Sequence, residues 1–301
     1  MASIPFHLIT GFLGSGKTSF LIHYLGSFGK ERRIGVIQNE FSSSGIDGEI
    51  VRKTKGAYQL LEVNNGSVFC VCLLGGFIES LAAFIDDNSP DEIIMEASGM
   101  SDPVSIAQIF QSPQLKNKIY LDKSWAIVDA LNFNKVTSIR IRLEHQIRIA
   151  ETVIINKTDL AESEIATIIE TVKKINPFAT ILKSSYAKIP FLNEKESFKF
   201  FHFPENSGSN RPDLQSLVIK SSLIITPENL KKFIETVKND FIRFKGFVNT
   251  GKKQKYIVQG SFDYYTFEEV EWFAGVTELV GIGKFQGIDD YTKKFETYCK
   301  K

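Results

Sequence analysis

The chain is 301 residues long, with 43% hydrophobic and 24% charged residues, enough for roughly two domains of about 150 residues, each with its own core. Thirty-six Lys and Arg stand against 35 Asp and Glu, a formal charge of +1, so there is no basic excess to hold nucleic acid or an anionic membrane surface. Three cysteines make no disulfide framework, no leader-like succession opens the chain, and no apolar run is long enough to span a bilayer, so a cytoplasmic protein is expected.

Apolar runs alternate with helix-period segments from the first residues to about residue 185. The patterning predicts strands at residues 5–9, 33–38, 59–63, 92–96, 124–128, 152–156 and 180–182, with helices at 17–28, 76–86 and 162–175 among them. Near-continuous apolar strands separated by helices imply an α/β fold with a mostly parallel sheet covered on both faces. This first domain is expected to span 1–200. Residues 201–213, FHFPENSGSNRPD, gather breaker residues and read as a linker. From 214 to 301 a small α+β domain is expected: a helix at 227–237 behind Thr226 as N-cap, strand-like runs at 242–248, 255–258 and 278–282, and a last helix at about 289–298.

Residues 11–18 read GFLGSGKT and fit GxxxxGK(S/T) between an apolar strand and a helix, the context that makes this pattern a phosphate-binding P-loop. Gly11, Gly14 and Gly16 let backbone amides turn inward, and Ser15 and Ser19 flank the cradle. Lys17 sets an ammonium against the β- and γ-phosphates, and Thr18 offers a hydroxyl to Mg²⁺. The bland alternative is a glycine turn before a helix.

Residues 93–103, IIMEASGMSDP, end a strand on Glu96. A carboxylate there can hold the hydrated Mg²⁺ or orient the attacking water. Gly99 can bring a backbone N–H to the γ-phosphate, giving Lys17, Glu96 and Gly99 as catalytic candidates. The structural alternative is a strand cap, with Asp102 and Pro103 opening the next helix. Asn156, Lys157 and Asp159 form NKTD after the strand TVII, about 140 residues beyond the P-loop. A carboxylate at the last position pairs with the N1–H and 2-amino group of guanine, a donor pair that adenine lacks. GTP is therefore the expected nucleotide.

Taken together, these blocks resemble the CobW-type P-loop GTPases, relatives of the GTPases that mature nickel enzymes such as urease and hydrogenase. QNEFSSSGID at 38–47 is similar to the family's NEFG…xID, MEASGMSDP to its ExTGxxDP, INPFATI at 175–181 to its LNPxAxI, and RFKGFV at 243–248 to its RxKG strand. The likeness runs over nearly the whole chain. It implies a GTP-hydrolysing metallochaperone or metal-insertion factor with slow intrinsic turnover, a client metalloprotein and a nucleotide-dependent dimer. It also implies Thr18, Asp47 and Glu96 around Mg²⁺.

In the family an NG is followed by a C-x-C-C motif for the cargo metal. Here NG at 65–66 is followed by SVFCVC, which leaves Cys70 and Cys72. Two thiolates suit Zn²⁺, Co²⁺ or Cu⁺ but do not complete a tetrahedral site, and Glu40 is the carboxylate that the resemblance offers to help. On a strand, residues two apart point the same way, so both thiols are expected to face one metal or one patch of core. A buried or redox-sensitive pair is the competing reading, and with it a GTP-dependent switch that has lost metal handling. A kinase on the same P-loop is the third, disfavoured by NKTD. Cys299 is taken as incidental, and lone His145 as a surface or capping residue.

Overall fold

A computed structural model of the chain describes residues 3–39, 58–63, 71–99, 106–135, 140–191, 215–251, 255–261, 264–270, 276–283, 285 and 288–299. The chain divides into two compact units, Met1–His202 and Phe203–Lys301.

Strand β1 (Ile4–Gly11) lies at the centre of the first unit. Six of its eight residues are buried, as a strand covered on both faces requires. It pairs in parallel with β4 (Glu92–Glu96) on one side and β5 (Ile119–Asp129) on the other. With β2 (Ile34–Asn39), β3 (Tyr58–Val63), β6 (Thr152–Asn156) and β7 (Thr180–Lys183), these form a seven-stranded sheet in the order β3-β2-β4-β1-β5-β6-β7. Every pairing in it is parallel.

Alternate residues serve opposite faces of the sheet. Ile127 and Ile154 pack with Phe20, Leu21, Tyr24 and Leu25 of α1 (Lys17–Phe28). On the other side Ala126, Val128, Val153 and Ile155 pack against α4 (Arg140–Ile149) and α5 (Ile165–Ile175). Among the described residues the remaining α-helices of this unit are α2 (Val71–Asn88) and α3 (Ile106–Gln111). No helix among the described residues is long and apolar enough to cross a membrane.

Two elements depart from expectation. β5 starts at Ile119 rather than 124 and runs straight through Asp122 and Lys123. The register explains how: Phe6 pairs Leu121 and His7 pairs Lys123, so Asp122 is the extra residue of a bulge. Helix α2 starts at Val71, not at 76, and passes through Gly75 and Gly76, beside which a Cβ would meet nothing within 4 Å. The strand placement of the cysteine pair is therefore corrected: Cys72 is helical, while Cys70 lies outside the described residues.

At the N-terminal end of the sheet, Glu92 accepts hydrogen bonds from Tyr24 Oη and Arg32 Nη1, both at 2.8 Å, with His7 Nε2 3.6 Å away. Burial pushes the Glu92 carboxyl up, but His7, Arg32 and Tyr24 outweigh it and bring the pKa down to about 2. The same burial and the Glu92 charge push the Tyr24 phenol well above its ordinary value.

The second unit is a five-stranded antiparallel sheet, β11-β10-β9-β12-β8. Its strands are β8 (Gln215–Ser221), β9 (Phe241–Asn249), β10 (Lys255–Ser261), β11 (Tyr264–Val270) and β12 (Thr277–Gly283). Helices α6 (Pro227–Val237) and α7 (Ile288–Thr297) pack Leu230, Phe233, Ile234 and Phe295 onto Leu217, Ile219, Phe244, Val248 and Leu279. Thr226 caps α6 as expected: its side-chain oxygen accepts from Asn229 N at 3.2 Å, with Pro227 at the first helical position. Strands β8 and β11 were not expected from the sequence. The predicted linker at 201–213 lies outside the described residues.

Candidate nucleotide and metal site

Parallel register brings the C-terminal ends of the central strands to one edge of the sheet. Gln38 pairs Glu96, Ile9 pairs Glu96, Gly11 pairs Ile127 and Asp129 pairs Asn156. In open parallel sheets this edge is where ligands bind.

Between β1 and α1 the chain turns on a Ser15 N to Phe12 O hydrogen bond of 3.1 Å. Gly16 closes the turn at φ +106°, and a Cβ there would lie 2.4 Å from Asn156 Nδ2, so only glycine fits. Gly14 sits at φ +76° with nothing within 4 Å of its would-be Cβ, which leaves the hollow of the loop open. Helix α1 begins at once at Lys17, and no side chain caps it. Its first N–H groups and positive dipole end are thus available to an anion. Lys17 is buried, and its ammonium donates to Phe12 O at 3.2 Å, folded over the loop.

Thr18 Oγ1 donates to Glu96 Oε1 at 2.8 Å, and Gln38 Nε2 donates to Glu96 Oε2 at 3.3 Å. A hydroxyl and a buried carboxylate form the all-oxygen set that Mg²⁺ prefers, so the residues fit that ion. Gly99 is pressed onto the loop from the other side. A Cβ on it would lie 2.5 Å from Leu13 N and 3.0 Å from Leu13 Cα, so nothing larger than hydrogen is accommodated.

Asn156, only 2% exposed, joins two segments. Its Nδ2 donates to Ser15 O in the P-loop, and its Oδ1 accepts from Ala187 N, both at 2.8 Å. Lys157, at φ +63°, donates to Asp129 Oδ2 at 2.7 Å. Burial pushes the Asp129 carboxyl up, but hydrogen bonds from Lys157, Asn132 and Leu131 N outweigh it and hold the group below the ordinary carboxylate range. Asp159 is exposed on the turn that follows.

Thr158 is tied to the segment after β7, its N and Oγ1 both donating to Ser184 O at 3.2 and 3.0 Å. In that segment Tyr186 and Ala187 are both left-handed, at φ +58° and +55°, and the Tyr186 side chain is 76% exposed. Consecutive non-glycine residues in this region are strained. Here the Asn156, Thr158 and Ser184 hydrogen bonds hold them.

The structure thus brings together Gly11, Gly14, Ser15, Gly16, Lys17, Thr18, Glu96, Gly99, Asn156 and Lys157 on one edge, with Ser19 in the first turn of α1 and Asp159 on the following loop. Glu40, Asp47, Cys70, Asp102 and Pro103 lie outside the described residues. Among the described residues no three His, Cys, Asp or Glu side chains group to hold a metal ion. His145, expected as a surface or capping residue, is buried. Gln38, Asp129 and residues 184–188 were missed. The signal for the first two was a polar residue ending an apolar run. The signal for the last was the buried Asn156 amide, which needs partners at both ends.

Comparison with known families matches residues 5–183 to the CobW/HypB/UreG nucleotide-binding domain and residues 214–298 to the cobalamin synthesis protein cobW C-terminal domain. The zinc chaperone CobW of a Sinorhizobium species is 26% identical over 335 residues, covering 93% of this chain and 92% of that one. The zinc chaperone YjiA of Escherichia coli K12 is 26% identical over 281 residues, covering 86% of each. The zinc-regulated GTPase metalloprotein activator 1 of Schizosaccharomyces pombe is 30% identical over 199 residues, 64% of this chain and 48% of that one. The crystal structure of Zn(II)-bound YjiA GTPase superposes with a TM-score of 0.59 at 22% identity, covering both chains fully, which shows a shared fold.

Proposed function

The chain belongs to the CobW/HypB/UreG nucleotide-binding family, and from that premise we propose that it is a GTPase that carries a divalent metal, zinc first, and hands it to a client protein. The observation that carries the nucleotide half is Asn156, which ties the phosphate loop at Ser15 to the segment bearing Ala187. One buried amide thereby sets the distance between the phosphate cradle and the base end.

In this reading the loop amides and Lys17 take the phosphates, and Asp159 accepts from the guanine edge. Thr18 and Glu96 hold Mg²⁺, joined by Asp47. When bound, Mg²⁺ neutralises charge developing between the β- and γ-phosphates. Glu96 orients the attacking water, and Gly99, packed on Leu13, couples the γ-phosphate position to the strand end it follows. The residues named supply no arginine to the transferred phosphoryl, so turnover is slow without a stimulating partner. A nucleotide-dependent dimer and a cytoplasmic location complete the proposal.

Cargo is assigned to Cys70, Cys72 and Glu40, with zinc favoured by the relatives named zinc chaperones. Co²⁺ remains a second metal of the same assignment. The second reading is a GTP switch without cargo, weighed because Cys70 and Cys72 are two thiols where the family motif has three, and two do not complete a tetrahedral site.

One titration decides. Zn²⁺ affinity measured against a chelator should tighten with a non-hydrolysable GTP analogue and Mg²⁺, and by reciprocity Zn²⁺ should tighten the analogue equally. Affinity should rise with pH, since thiolates bind and protons leave. Cys70→Ser/Cys72→Ser should abolish the tight site. Zinc binding unchanged in that variant would make the cysteine pair structural and overturn its assignment as the cargo site. ATP competing equally with GTP would overturn the guanine reading itself.

A further inference from the structure

Gln38 ends the apolar run of β2, is 5% exposed, and lies in register with Glu96 on the neighbouring strand. Its amide orientation is fixed by chemistry. Only the NH₂ group can face the Glu96 carboxylate, which it does at 3.3 Å; reversing the amide would set two acceptors against each other. The Oε1 atom therefore points away from Glu96. It is buried, and among the described residues nothing donates to it. A buried acceptor without a donor is costly and rare in folded proteins, and each such atom calls for a partner.

The surroundings say what kind. Glu96 takes the Thr18 hydroxyl on its other oxygen at 2.8 Å, so Gln38, Glu96 and Thr18 form one chain of contacts that ends in the Mg²⁺-type oxygen pair. Mg²⁺ gives up its hydration reluctantly and keeps several waters, whose protons are strong donors. A carboxamide can accept from such a donor without adding negative charge beside Glu96. Resting on the Mg²⁺·GTP reading, we propose that Gln38 is a positioning residue of the metal site: Nε2 fixes the Glu96 carboxylate, and Oε1 accepts a hydrogen bond from the hydrated Mg²⁺. The sequence and the family comparisons name no such role for it. Partners of this kind set the orientation of the groups that touch the metal and commonly govern its affinity.

The test is Gln38→Leu, close in volume and with neither donor nor acceptor. A fluorescent GDP analogue is titrated with Mg²⁺, and its affinity is also measured in EDTA. The Mg²⁺ concentration for half-maximal tightening should rise about tenfold or more, while affinity in EDTA changes by less than about twofold. Thermal stability in EDTA should change little, since removal of the partnerless acceptor offsets the lost Nε2 contact to Glu96, but the stabilisation gained from Mg²⁺·GDP should shrink. If the leucine variant does not fold, Gln38→Met, unbranched and of similar length, carries the same comparison. An unchanged Mg²⁺ midpoint overturns the proposal. So does a loss of stability in EDTA with normal Mg²⁺ dependence, which would mean that Gln38 serves the fold alone. A parent protein whose nucleotide affinity ignores Mg²⁺ would instead overturn the metal reading on which the proposal rests.

Discussion

Asn156→Ala probes the join between the two halves of the nucleotide site. The side chain is 2% exposed and makes two hydrogen bonds of 2.8 Å, to Ser15 O and from Ala187 N. Truncation leaves a buried carbonyl and a buried N–H without partners, at about 1–3 kcal/mol each, or about 2–6 kcal/mol together. A domain of this size holds only about 5–15 kcal/mol in total, so the variant stays folded but its urea midpoint drops clearly at an unchanged m value. Part of the loss appears in ligand binding, because Gly16 and Lys17 on one side and Ala187 on the other are no longer held at a fixed distance. GDP affinity, read by calorimetry, should fall about ten- to a hundredfold, at 1.4 kcal/mol per tenfold. Asn156→Asp separates the two contacts. It keeps an acceptor for Ala187 N but places an oxygen against Ser15 O, so it should weaken phosphate binding at least as much as alanine does. An alanine variant within twofold of the parent in GDP affinity, with an unshifted urea midpoint, would refute the claim that this residue sets the site.

Asp159→Asn should weaken GTP by about 3 kcal/mol through lost pairing to a charged acceptor and strengthen xanthosine triphosphate, whose 2-oxo group accepts from the new amide; competition binding reads both. Gly99→Ala forces a Cβ onto Leu13 N at 2.5 Å. It should cost about 1–3 kcal/mol of stability or of phosphate affinity, and single-turnover hydrolysis matching the parent would contradict the close packing. For acid stability, the Glu92 carboxyl sits at about 2, below its unfolded value of about 4.3. Its contribution is therefore full above about pH 4.3 and is lost as pH falls toward 2. Glu92→Gln should lower stability at neutral pH by up to about 3 kcal/mol and flatten the fall between about pH 4.3 and about pH 2. An unchanged slope in urea unfolding would rule out Glu92 as its source.

The phosphate loop and NKTD were legible because each needs particular residues at fixed spacing, and an apolar run on one side supplies the strand. Residues 92–96 and 152–156 were placed to the residue for the same reason: short, fully apolar runs bounded by polar ends. The start of β5 was not legible, since a bulge at Asp122 lets charged residues continue a strand that patterning would end. Helix α2 was expected only from residue 76, because the apolar run before it reads as a strand; twelve helical residues beyond Gly76 and packing by Phe77, Leu81 and Phe84 outweigh the entropy cost of Gly75 and Gly76. β11 escaped notice because it borders a single neighbour, β10, and carries exposed Glu268 and Glu269 in place of strict alternation. Gln38 and Asp129 each carried a local signal, a polar residue ending an apolar run, but sequence could not rank them. Their weight comes from which strands stand side by side, and the order β3-β2-β4-β1-β5-β6-β7 is a property of the sheet rather than of any local run.

That strand order also has a consequence for biosynthesis. β1 is made first, but its neighbours are β4, ending at Glu96, and β5, ending at Asp129. At roughly 5–20 residues per second, the apolar strand that carries the phosphate loop waits roughly 6–25 s for its second partner to be synthesised. Until β4 is made Phe6, Leu8 and Ile9, wholly buried in the finished protein, have no neighbouring strand, and until β5 is made one edge of β1 stays open. Slowed elongation across residues 12–118 should therefore lower the soluble yield more than the same delay placed after residue 129. The strand that holds the phosphate loop at the centre of the finished sheet is thus one that must wait for both of its neighbours.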